Sequence, residues 1–200
     1  VVSTGPDSAA AIQLLFFNGA ATSKISVRSN AQLINGTIDA ATGAWVHVAV
    51  ARSGSSLKLF VDGVQSGSTA TTSTNFANGA TNGVTIGRYA TVASGHFKGF
   101  LSNIRVLKGT ALYTANFTPP TRELTNVTNT KLLCCQSNTS AIAAAVSPGT
   151  ITANGDAAAT NFNPFNTDIN TVRGQETGYA TLSPLDSGHS GASITFSDGN

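Results

Sequence analysis

Nine acidic side chains in 200 residues leave little material for acid–base chemistry, so the use of each one matters. Asp62 lies in "KLFVDGV" (58–64), where Asp-Gly separates two alternating apolar runs. That pair is a strong hairpin signal because both turn positions favour positive φ, and Asp62 is therefore assigned to a turn. The two glutamates, Glu123 and Glu176, fall in different segments. Of the three histidines, His47 sits inside "WVHVAV" as a structural residue, while His96 and His189 lie in polar Gly-Ser loops open to solvent. No Gly-x-Ser-x-Gly, His-Glu-x-x-His or phosphate-cradling glycine loop occurs, which removes the usual arrangements for nucleophilic, zinc and nucleotide chemistry. Cys134 and Cys135 are adjacent. A bridge between neighbours is strained and two thiols alone do not make a zinc site, so both are read as small, reduced apolar residues, pointing to opposite sides if they lie on a strand. The chain is read as a non-enzyme.

Sugar recognition needs less: an aromatic face to stack on a ring, with amides and hydroxyls to bond its hydroxyl groups. The loops "STNFANGATN" (73–82) and "RYATVASGHF" (88–97) offer Asn75, Phe76, Asn78, Arg88, Tyr89 and His96. These form the candidate glycan-binding set. The competing reading is that Phe76 and Tyr89 plug the end of the core while the asparagines shape turns. Trp45, the sole tryptophan, opens a strand and suits core packing better than an exposed platform.

The elements that must position these residues are strands. Short runs rich in Val, Ile, Leu and Phe occur at 10–18, 24–29, 45–53, 57–63, 83–89, 97–109 and 131–136. Turn pairs bound nearly all of them, namely Asn18-Gly19, Asn35-Gly36, Ser53-Gly54, Asp62-Gly63, Asn78-Gly79 and Asn82-Gly83. No window sustains a 3.6-residue period, and at most a turn of helix is expected, near 109–114 or 141–146. Strands so closely spaced pair mostly antiparallel and pack as two sheets. "WVHVAVARSGSSLKLFVDGVQSG" reads as a three-stranded meander, and a further strand is expected around Thr150–Ala153.

Composition sets the surface. Only 10% of residues are charged, the formal net charge is +2, and the eleven Lys and Arg are scattered singly. That pattern lacks the basic patch of a nucleic-acid binder, and no apolar run reaches membrane-spanning length, so neither nucleic acid nor membrane insertion is expected. A surface of Ser, Thr and Asn offers little repulsion to packing against copies of itself. The absence of Met and of a signal-like start is what a piece of a longer polypeptide would show.

The run "GAWVHVAVARSGSSLKLFVDGV", then "VTIGRY", "FKGFLSNIRVLKGTALYTANFTPP" and "KLLCCQSN", resembles laminin-G-like domains of the concanavalin A-like jelly roll, in particular those of marine cyanophage tail fibres and other virion proteins. The resemblance is strongest from Trp45 to Pro120 and extends over about residues 10–168. It implies an all-β, antiparallel two-sheet jelly-roll sandwich over 1–168. Residues 169–200 resemble the linker that leads, in such proteins, into a further β-domain. The family's opening strand pair, of the type "FTIEFWV", has no counterpart before Ala10, which suggests truncation at the N-terminus.

The same resemblance implies a virion module, in a tail fibre or decorating the capsid or tail, held by other virion proteins and by copies of itself and contributing to attachment at host-surface polysaccharide. The alternative is a stand-alone extracellular, cell-surface adhesin module. A glycoside hydrolase fragment ranks last, since the jelly-roll hydrolases carry Glu-x-Asp-x-x-Glu on one strand and need two carboxylates about 5–10 Å apart. No cofactor is expected. Some relatives hold Ca²⁺ at the rim of the sandwich, and Asp39 is the single loop acid placed where such an ion could sit.

Overall fold

The computed structural model describes residues 2–3, 11–19, 22–29, 31–40, 43–76, 84–88 and 96–165. All regular elements among them are strands: β1 (Val2–Ser3), β2 (Gln13–Gly19), β3 (Thr22–Ser29), β4 (Ala31–Asp39), β5 (Val48–Ser53), β6 (Ser56–Val61), β7 (Val64–Gln65), β8 (Ala70–Thr71), β9 (Thr85–Ile86), β10 (Ile104–Leu107), β11 (Thr130–Cys134) and β12 (Ala144–Val146). Every pairing between them is antiparallel. They form a five-stranded sheet in the order β4-β3-β2-β1-β9, a meander β5-β6-β7 with β8 on β6, and a three-stranded sheet β10-β11-β12. The all-β, antiparallel class expected from the strand pattern is the one observed, and it is consistent with the jelly-roll sandwich that the resemblance implies.

The core follows from period-two alternation. Ile25, Val27 and Ile34 of the five-stranded sheet meet Leu57, Leu59 and Val61 of the meander, together with Ala40, in one buried cluster. Leu59 and Val27 are fully excluded from solvent.

Both meander turns are tight two-residue loops. Ser53 pairs Ser56 around Gly54-Ser55, and Val61 pairs Val64 around Asp62-Gly63. Asp62 has φ +48° and Gly63 φ +79°, which gives the primed geometry that matches strand twist. Asp62 is a turn residue, as its sequence context predicts. Its backbone N–H donates to the His47 carbonyl and its carboxylate accepts from the His47 N–H, each at 2.8 Å.

Several expectations fail for local reasons. Asn35-Gly36 is no turn but lies within β4, where the strand bulges: β3 advances from Lys24 to Ser26 while β4 runs from Asp39 to Asn35. A Cβ on Gly36 would sit 2.3 Å from the Ile25 carbonyl oxygen, so the glycine serves close backbone approach. The buried Ser66 hydroxyl caps the bulge, accepting from Thr37 N–H at 2.9 Å and Ile38 N–H at 3.0 Å. "AIAAAV" yields strand β12 in place of a helical turn, and 109–114 makes bends. No strand forms at 150–153, and the 97–109 run is a strand only at Ile104–Leu107. The short strand β1 lies ahead of the first run marked by the sequence pattern. Residues 166–200, with the expected linker, and the Asn78-Gly79 and Asn82-Gly83 pairs lie outside the described residues.

Candidate functional site

The candidate glycan residues divide between two places. Asn75 is exposed, and Phe76 is half-buried against the core cluster. Arg52 shares the inward face of the meander with its register partner Leu57. Its guanidinium lies 4.9 Å from the centre of the Phe76 ring and donates to the Thr74 carbonyl. Arg88 and His96 are both exposed and face each other in an isolated antiparallel bridge, with Phe97 N–H donating to the Gly87 carbonyl at 2.7 Å. Asn78 and Tyr89 lie outside the described residues.

The remaining chemistry-bearing residues are held structurally. Asp39 ends strand β4 opposite Lys24, a strand position in place of the loop position expected for it. No group of three or more His, Cys, Asp or Glu comes together among the described residues. One carboxylate set against a lysine is a poor match for a Ca²⁺ ion, which takes six to eight oxygen ligands. Trp45 packs against Phe100 and Phe162, with ring centres at 6.5 and 5.4 Å, and those two rings meet edge-on at 4.8 Å. Cys134 and Cys135 do not point to opposite sides: Cys135 follows the strand in a left-handed conformation, φ +62°, which brings the sulfurs within 3.6 Å. Their hydrogen bond, then burial, raises the Cys134 thiol, and the same bond lowers Cys135 against its desolvation.

A surface that the sequence pattern did not single out lies on the outer side of the meander. Register places Ala51 opposite Lys58 and Ser53 opposite Ser56, with Ala49 opposite Phe60, all facing away from the core. Residues 113–117 cross this face as a strap. Phe117 N–H donates to the Gly63 carbonyl at 2.9 Å, and the Asn116 side chain accepts from Gln65 N–H at 2.9 Å. Lys58 Nζ donates to the Thr114 carbonyl at 2.7 Å. Phe117 covers Phe60 edge-on at 5.4 Å, and Tyr113 stacks on Phe117 with ring centres 3.6 Å apart and planes inclined by 7°.

Beneath these rings His47 meets Phe117 and Tyr113 edge-on at 5.5 and 6.3 Å, with its Nδ1 buried and unpartnered. Burial pushes the His47 pKa down; the Asp62 charge pulls it up and the Arg105 charge adds to the lowering.

Toward the Gly54-Ser55 turn the strap no longer covers the sheet. An open cleft of about 200 Å³ remains there, lined by Ala51, Ser53, Ser56, Lys58, Tyr113 and Thr114. Alternation along "SLKLF" (56–60) marks Ser56 and Lys58 as outward residues. The strap is what turns them into a cleft, and its docking joins residues about fifty positions apart.

Residues 1–114 match a family model described as the concanavalin A-like lectin/glucanases superfamily. No curated protein and no solved structure matches the chain.

Proposed function

The chain belongs to the concanavalin A-like lectin/glucanases superfamily, and we propose that it is a carbohydrate-binding module, not a hydrolase, built into a phage virion protein and contributing to attachment at host-surface glycans. Superfamily membership over residues 1–114 carries the carbohydrate reading. The choice of binding over hydrolysis is supported by the described carboxylates. Asp62 is committed to a turn, Asp39 to a strand end facing Lys24 and Asp156 to an exposed turn, while Glu123 is the one glutamate among the described residues. The retaining and inverting mechanisms both need a facing pair.

The virion setting, in a tail fibre or as a decoration of capsid or tail, is supported by the resemblance of Trp45–Pro120 to cyanophage structural proteins. Low surface charge suits packing against neighbouring subunits and copies of the chain.

The test is binding of the purified protein to host-envelope polysaccharides and a glycan array, with calcium and with chelator, while released reducing ends are followed. Saturable binding without release is expected, and it persists in chelator. Alanine at Phe76 and Tyr89 then reports whether the rim loops contribute. Absence of binding at millimolar sugar overturns the carbohydrate reading and leaves a purely structural part of a particle. Release of reducing ends restores the hydrolase. Antibody labelling of intact particles tests the virion setting, and unlabelled particles favour the cell-surface adhesin.

A further inference from the structure

The geometry points to the cleft between the β5–β6 turn and the strap as a subsite for one anionic sugar residue, a ring bearing a carboxylate or a sulfate. This inference rests on the carbohydrate reading above and adds to it a place and a ligand class.

Lys58 is the first observation. Its ammonium spends one donor on the Thr114 carbonyl, which fixes the charge at the cleft wall and leaves two donors. No carboxylate lines the cleft, and none pairs with Lys58 among the described residues. The charge is thus held in place but not neutralised.

The second observation is the set of uncommitted hydroxyls. Ser53, Ser56 and Tyr113 all line the cleft, and none of their side-chain oxygens is engaged by another described residue. Hydroxyls that can both donate and accept suit the hydroxyl groups of a sugar. The third is rigidity. Ser53 and Ser56 are a register pair flanking a two-residue turn, and the Tyr113 ring is fixed by its stack on Phe117. Little order has to be imposed when a ligand enters. The volume of about 200 Å³ lies below the range of drug-sized pockets, roughly 300–1,000 Å³, and suits a single ring with the rest of the chain passing out along the surface.

The experiment is a calorimetric titration of the whole 200-residue chain with three probes: an oligogalacturonate, a sulfated galactan oligosaccharide and a neutral glucan oligosaccharide of similar length. At least one anionic probe is expected to bind about tenfold more tightly than the neutral one, with affinity falling as salt is raised. The two anionic arms separate carboxylate from sulfate. Lys58→Gln should cost about tenfold on the anionic probe, and Lys58→Arg should keep most of the affinity. Because Lys58 also holds the strap, Ser56→Phe provides an independent variant. It fills the cleft from an exposed turn-flanking position and should abolish binding in a protein with an unchanged thermal melt. Glycan binding that survives Ser56→Phe, or that ignores charge, overturns the cleft and leaves the carbohydrate reading standing. Failure of all three probes and of the glycan array overturns both.

Discussion

The two faces of strand β6 come from the same six residues and have opposite uses. On the inner face Leu57, Leu59 and Val61 are almost wholly buried in the core. On the outer face burial is graded, from Phe60 sealed under Phe117, through half-buried Lys58, to exposed Ser56. The inner face depends on one sheet meeting another. The outer face depends on a strap only five residues long. A strand can therefore build the core with one set of side chains and leave a polar recess with the other, without compromise between them.

The largest effect should come from breaking the inner face. Leu59→Ala removes a fully buried side chain at the centre of the cluster and should cost about 2–5 kcal/mol in chemical denaturation. A cost below 1 kcal/mol would mean that the two sheets do not rely on this contact.

Gly63→Ala attacks the strap. Its Cβ would lie 1.9 Å from the Phe117 carbonyl oxygen, at a backbone φ of +79° that suits glycine. A loss of about 1–3 kcal/mol is expected, with faster amide exchange at Phe117 while the core strands stay protected. Uniform acceleration across the chain would show that strap and core unfold as one unit.

The smallest effect sharpens the comparison at His47, which lies beneath the strap. Burial holds its pKa below the ordinary value of about 6.5, so the unfolded chain takes up the proton more readily. The stability owed to neutral His47 is complete above about pH 6.5 and is lost as pH falls below it toward the folded value. Melts between pH 7.5 and 5 should show a shallower acid decline in His47→Gln than in the parent protein. Equal slopes would remove His47 from the acid response.

What could be read from sequence follows the same division. The Asp62-Gly63 turn, the meander and the alternation that buries Leu57, Leu59 and Val61 are local patterns, and all three are found. β4 was hidden because Asn35-Gly36 has the composition of a turn. Only the three-dimensional approach of Ile25 explains the glycine. Ala144–Val146 looks helical by composition, yet pairing with β11 decides otherwise. The cleft was hidden for a related reason. Ser56 and Lys58 are ordinary outward residues until Tyr113 and Thr114 fold over beside them, an event that no local pattern encodes.

The Ser66 cap on the β4 bulge has a further consequence. Among the described strands β4 is outermost in its sheet, and outer strands carry backbone groups that can template growth by strand addition from other molecules. At the bulge, the amides of Thr37 and Ile38 are already bound by a hydroxyl of their own chain. An incoming strand finds the ladder interrupted midway along this edge. Sheet extension along β4 is therefore opposed by a single serine.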